Sequence, residues 1–260
     1  MEPGSKQAGQ SSRSRLRRLI LLLAIPVVGV VVLFLAREAA SLPRVVNTAP
    51  RTARVMEWLR GAGQNVTWKV QPLALCGNAP FLMPTEGFIG FLWDDSFYPG
   101  HRHQGIDIFG GQSVGVTPVY AAYPGYLTRL ETWKSSLIIR LPEDPLSPGR
   151  QIWTYYTHMA DSEGDISYIA PEFPPGTQEM YVEAGTMLGY QGNYSGDPNN
   201  PVGVHLHFSI VKSDRQGHFL NELEINNTLD PSPYLGLLLN AAHSPDQVPV
   251  CPPGMLTPGP

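Results

Sequence analysis

The chain has 260 residues, enough for one sizeable domain with an appendage. Charged residues make up 15% of it, below the roughly 25% of soluble domains, and a net charge of −4 leaves no basic field for nucleic acid. With 26 Gly and 26 Pro, the composition predicts many turns between short strands, an all-β fold rather than a helix bundle.

Residues 1–18 are polar and basic and read as a cytoplasmic tail. Leu19 to Ala36 carries no charge, and as a helix it would be about 27 Å long, close to the thickness of a bilayer's hydrocarbon core. Arg13, Arg15, Arg17 and Arg18 precede it, whereas only Arg37 follows closely, beside Glu38. That asymmetry predicts a single-pass membrane helix with its N-terminus in the cytoplasm and everything after Ala36 outside. A cleaved signal peptide is the rival reading; its apolar core usually runs about 7–15 residues, and Ala39-Ala40-Ser41 is a weak cleavage site.

Residues 37–75 read as an extracytoplasmic stalk or linker. It holds a short helix from Pro50 to Leu59, stopped at Gly61, and then extended chain from Val66 to Cys76. The domain is expected over 76–242, with a Pro-rich tail over 243–260. Cys76 and Cys251 lie on the exported side, where disulfides persist. Paired, they would close a loop of roughly 175 residues; two unrelated buried thiols are the alternative.

Within the domain, Thr117–Tyr123 and Tyr126–Trp133 read as two strands around a Pro124-Gly125 turn. Leu137–Leu141, Gln151–Met159, Met180–Glu183, Met187–Tyr190 and Val204–Lys212 follow as strands. Asp230-Pro231 opens a helical cap from Ser232 or Pro233 to Asn240. The Asp161–Thr177 segment carries Asp161, Glu163, Asp165 and Glu172 without a Lys or Arg. It reads either as a solvated loop or as a wall capping one end of a cleft.

Seven histidines occur. In a strand, His205, His207 and Ser209 share one face while Leu206, Phe208 and Ile210 enter a core. His103 and Asp107 share a face in the same way, with Gly105 between them removing a side chain where an ion or ligand approaches. Two imidazoles and a carboxylate make a zinc shell, and a fourth position left to water makes it catalytic. Zinc lowers the pKa of bound water and polarises a carbonyl, while spare histidines such as His158 move protons or stabilise an oxyanion. These residues alone leave open which of His205 and His207 holds the metal.

The order H-x-G-x-D at His103–Asp107, Y-x-H at Tyr156–His158 and H-L-H-F at His205–Phe208 resembles the lysostaphin/LytM-type zinc endopeptidases of bacterial cell walls. The likeness runs from Pro84 to Leu235 and includes Pro84-Thr-Glu-Gly87, the Glu183–Asn193 turn and Asp230-Pro231. It implies an antiparallel β fold with a groove across one sheet, one Zn2+ held by His103, Asp107 and His207, and His158 and His205 as catalytic histidines. It also implies peptidoglycan peptides as the substrate, with Tyr98 and Asn193 as candidates for holding the substrate or oxyanion. The localisation that follows is the outer face of a bacterial cytoplasmic membrane. A regulatory protein partner is left unidentified. His101 reads as a rim residue, and His218 and His243 as surface residues. Two rivals stand beside this reading: a catalytically silent relative that binds or activates another wall hydrolase, and a zinc hydratase using three histidines.

Overall fold

The computed structural model describes residues 49–61, 63–95, 101–237, 247–251 and 256–258. All described residues belong to one compact unit. The apolar segment 19–36, Tyr98 and His243 lie outside the described residues. Among those described, no helix is long and apolar enough to cross a membrane.

The only α-helix among the described residues is α1 (Ala49–Arg60). The strands are β1 (Lys69–Val70), β2 (Ala74–Cys76), β3 (Gly87–Phe91), β4 (Ile106–Phe109), β5 (Pro118–Tyr120), β6 (Gly125–Thr128) and β7 (Leu137–Leu141). They continue with β8 (Ile152–Thr157), β9 (Met180–Val182), β10 (Met187–Tyr190), β11 (Leu206–Lys212), β12 (Thr228–Leu229) and β13 (Leu256–Pro258). Nine form one sheet in the order β1-β3-β4-β11-β8-β7-β6-β9, with β12 also on β11. Its pairings are antiparallel. The all-β, antiparallel expectation holds.

Alternation along the strands divides the sheet's two faces. Leu206, Phe208 and Ile210 of β11, Ile106 and Ile108 of β4 and Tyr156 of β8 are fully buried in the main core. On the opposite face Val211, Trp153 and Ile138 form a smaller cluster with Trp133 and Phe219. His207 and Asp107 also lie on this second face, directly opposite each other across the β11–β4 ladder. The large core therefore acts as a rigid floor beneath the site.

Helix α1 packs on that same second face. Val55 and Trp58 are buried against Phe88 and Phe109, and the Trp58 indole donates to the Phe109 carbonyl at 2.7 Å. Burying Val55 alone stabilises by roughly 1.5 kcal/mol. The sequence reading placed this helix in a stalk; its Val55-x-x-Trp58-Leu59 stripe is instead a docking face.

Three further expectations need correction. The predicted hairpin about Pro124-Gly125 does not form: β5 pairs with β10, and β6 with β7 and β9. The cap after Pro231 is a succession of turns through Leu237 within the described residues. The 161–177 segment folds into the domain instead of capping the groove. Its Ile169, Ala170 and Phe173 are core residues, and it lines a separate cavity with Met187 and Tyr190. Buried Arg129 holds it, donating to the Phe173 carbonyl at 2.9 Å and the Ser167 hydroxyl at 3.0 Å.

Cys76 and Cys251 are joined by a disulfide with Cα atoms 5.2 Å apart.

Candidate active site

His207 is the second residue of β11. Register sets it beside Asp107 of β4 on one side and Thr157 of β8 on the other. His158 follows directly on the end of β8, and His205 precedes β11, bridged to Gly192. His103 lies three residues before β4, held by reciprocal backbone bonds: its amide donates to the Asp95 carbonyl and its carbonyl accepts from Asp94, both at 2.8 Å.

This framework brings three donor atoms together. His103 Nε2 is 3.1 Å from Asp107 Oδ1 and 3.1 Å from His207 Nδ1, and His207 Nδ1 is 2.9 Å from Asp107 Oδ1. The three residues form the metal-type cluster among the described residues, and all are buried. Ligands at 2.0–2.1 Å from a tetrahedral zinc lie about 3.3 Å apart, so this nearly equilateral triangle fits with a small expansion. Its nitrogen, nitrogen and oxygen donors are the set that a catalytic zinc uses.

Each imidazole has its outer nitrogen engaged, and that fixes which nitrogen faces inward. His103 donates from Nδ1 to the Leu92 carbonyl at 2.9 Å, leaving the Nε2 lone pair for the cluster. His207 donates from Nε2 to Glu222 Oε1 at 2.8 Å, leaving Nδ1. His158 and His205 donate from Nδ1 to the carbonyls of Tyr194 and Gly203, each at 2.6 Å. His205 Nε2 is 3.5 Å from Asp107 Oδ1, and its ring stacks on Phe109 at 4.8 Å. The His158 and His205 rings are 4.6 Å apart.

The electrostatics separate these groups. Burial alone would raise the Asp107 carboxyl, but the imidazoles of His103 and His205 hold it well below the usual range. Burial would likewise lower His207, yet Glu222 and Asp107 push its imidazolium up to about 10. His158 moves the other way: burial first, then the neighbouring His205 and His207, bring it down to about 3. It is therefore neutral across the physiological range.

His158 adopts φ +71°, the left-handed region that a residue with a Cβ seldom enters. Its carbonyl accepts the Ala160 amide at 2.9 Å, turning the chain sharply after β8. Gly192 makes this possible, since a Cβ there would stand 2.4 Å from the His158 carbonyl oxygen.

All four histidines and Asp107 line one cavity of about 620 Å³, with Val55, Met56 and Leu59 of α1 forming part of its wall. His101 lines it as well. Asn193 does not: its amide donates to the Ala160 carbonyl at 2.9 Å, and its Oδ1 is buried. Tyr98 is outside the described residues. His218 is exposed and pairs with Asp214 at 3.2 Å.

Gly105 serves a different purpose from the one its spacing suggests. A Cβ there would lie 2.3 Å from the Phe208 carbonyl oxygen, so the missing side chain lets β4 and β11 approach; it makes no room for an ion. Glu222 was not found from sequence. It stands in the irregular loop after β11, where no spacing marks one acid among Asn221-Glu222-Leu223-Glu224.

No protein-family model matches the chain, and no curated protein matches it. Solved structures do. The catalytic domain of the antimicrobial peptidase lysostaphin from Staphylococcus simulans is 19% identical over 61% of this chain and 93% of that one, with a TM-score of 0.35. A zinc-containing peptidase from Vibrio cholerae is 18% identical over 58% of this chain and 38% of that one, TM-score 0.30. Helicobacter pylori Csd3 is 20% identical over 58% of this chain, which spans 35% of Csd3's length, TM-score 0.34. At these scores the likeness assigns no role to any residue, and the roles that follow rest on the distances above.

Proposed function

We propose that this chain is a zinc metalloendopeptidase that hydrolyses peptide bonds of peptidoglycan, in a stem peptide or a cross-link. One observation carries the reading: the buried triangle of His103 Nε2, Asp107 Oδ1 and His207 Nδ1, with edges of 2.9 and 3.1 Å. His103, Asp107 and His207 would hold the ion, which when bound supplies a Lewis acid and lowers the pKa of a coordinated water.

The chain's own groups do the remaining work. His158 is neutral, and with Nδ1–H committed to Tyr194 it offers Nε2 as a hydrogen-bond acceptor that orients the attacking water. His205, its Nδ1–H committed to Gly203, lies close enough to take part at Nε2 in proton transfer or in stabilising developing negative charge. The cavity lies between Val55, Met56 and Leu59 of α1 and Tyr155 and Thr157 of β8, and a peptide bound there would meet an apolar wall on the α1 side. The uncharged segment 19–36, with its arginines on the N-terminal side, supports anchoring at the outer face of a bacterial cytoplasmic membrane.

The test is zinc stoichiometry on the purified full chain, together with mass analysis of the fragments it releases from purified peptidoglycan. One bound zinc per chain, and new amino termini at one type of peptide bond, are expected. His103→Ala and Asp107→Ala should lose both. Either variant retaining full hydrolysis overturns the proposal, and so does a folded wild-type chain that binds no zinc.

A further inference from the structure

Arg51 stands one turn before Val55 and two before Trp58, on the buried face of α1, with only 2% of its side chain exposed. Its Nε is 3.4 Å from Oδ1 of Asp95, whose side chain is fully buried. The other carboxylate oxygen, Oδ2, accepts the Leu92 amide at 2.7 Å, and the Asp95 amide donates to the Leu92 carbonyl at 3.2 Å. Asp95 thus closes the Leu92–Asp95 turn on itself. That same Leu92 carbonyl accepts Nδ1–H of His103 at 2.9 Å, and the Asp95 carbonyl accepts the His103 amide at 2.8 Å. The Leu92–Asp95 turn that this carboxylate closes therefore supplies both main-chain carbonyls that hold His103, one for its amide and one for its ring.

A buried ion pair is a weak source of stability, because desolvating both charges offsets most of their attraction. Val55 and Trp58 already dock the helix through apolar contacts. What Arg51 adds is a buried cation 3.4 Å from the Asp95 carboxylate, an ion pair with no hydrogen bond between those two atoms. Metal-binding imidazoles depend on such outer partners for their ring orientation and tautomer.

We propose that Arg51 is a positioning residue for His103, acting through Asp95 and Leu92, so that α1 is a working part of the catalytic centre. The inference rests on the metallopeptidase reading for its consequence on zinc, but its structural core concerns His103 alone. Segments read as a linker thus carry a residue on which the metal site depends, and a chain cut back to residue 76 would lose it.

The experiment compares the full wild-type chain with Arg51→Met, Arg51→Lys and Asp95→Asn. Zinc affinity is read by chelator competition, and the His103 tautomer is read by nitrogen NMR of the metal-free protein labelled at histidine. Arg51→Met is expected to weaken zinc binding about tenfold. It should also convert His103 from a single Nδ1–H tautomer to a mixture, and shift the visible spectrum of the cobalt-substituted protein. Arg51→Lys, which keeps the charge, should recover most of the affinity. kcat should fall in Arg51→Met with KM little changed. If Arg51→Met does not fold, Asp95→Asn carries the test with a smaller but measurable loss of tautomer order, since an amide oxygen still accepts the Leu92 amide while the charge that pairs with Arg51 is gone. A single unchanged tautomer in the folded variants, with zinc affinity within twofold of wild type, overturns the inference. A wild-type chain that binds no zinc sinks the function instead, and the tautomer measurement still decides Arg51.

Discussion

Glu222 accepts the Nε2–H of His207 at 2.8 Å, reaching back from a loop fifteen residues beyond the histidine. Both side chains are largely buried, at 14% and 9% exposed, so little water competes for the bond. A carboxylate on the far nitrogen raises the basicity of the near one and fixes the ring's orientation and tautomer. Glu222→Ala is expected to weaken zinc affinity by about 10–100-fold, and Glu222→Gln by less, since an amide oxygen still accepts the bond. Chelator competition on the two variants measures this, and circular dichroism checks that the fold is retained. Equal affinities in Glu222→Ala and wild type would remove Glu222 from the site.

The same carboxylate makes metal binding depend on pH. In the metal-free protein His207 holds its proton up to about 10, above its ordinary value of 6.5. The raised value means that charged His207 stabilises the metal-free fold fully below pH 6.5, and this contribution disappears as pH rises through 10. Zinc requires the Nδ1 lone pair, so it displaces that proton. Affinity should therefore rise about tenfold per pH unit through neutrality and level off near pH 10, with about one proton released per ion. Calorimetry in buffers of different ionisation enthalpy counts the proton. A pH-independent affinity between pH 7 and 9 would contradict this assignment.

His158 combines a functional side chain with a strained backbone at φ +71°. A left-handed residue with a Cβ costs about 1 kcal/mol relative to glycine. His158→Ala and His158→Gly both remove the imidazole acceptor, and both should lose most hydrolysis while retaining zinc. They should part in thermal unfolding: the glycine variant is expected to be more stable than the alanine variant by about 1 kcal/mol. The reverse order would mean that the turn after β8 relaxes without strain in solution.

Much of this site was legible because two-residue periodicity brings alternate residues to one face. His205-x-His207 was enough to place those two imidazoles on one side of a sheet. Alternation along Gln151–Met159 instead puts His158 on the core face with Tyr156; the left-handed turn at φ +71° after β8 is what brings it to the site. Leu137–Leu141 and Met187–Tyr190 form strands with the bounds that sequence suggested. Pairing was less legible. Pro124-Gly125 has turn chemistry, but the partners of β5 and β6 are chosen by distant strands whose packing no local signal reports. Glu222, Arg51 and Asp95 were missed for the same reason: each matters through a contact made far along the chain. The acidic loop was legible in part: Glu163, Asp165 and Glu172 are exposed as their charges suggest, while Ile169 and Phe173 enter the core.

Gly105 gives the last test, because spacing and structure assign it different work. If it only cleared space for an ion, alanine there would cost metal affinity and leave the fold alone. The β4–β11 geometry says otherwise: a Cβ would sit 2.3 Å from the Phe208 carbonyl oxygen and 2.9 Å from Ser209 Cβ. Neither can yield without parting the strands that align Asp107 with His207. Overpacking of this kind costs about 1–3 kcal/mol, so Gly105→Ala should lower the unfolding temperature of the metal-free chain and also weaken zinc. Gly203→Ala is the control, since its nearest neighbour would be a Phe109 ring carbon at 3.7 Å, and it should behave as wild type in unfolding. An unchanged unfolding temperature in metal-free Gly105→Ala would return the glycine to the role of clearing space for the ion.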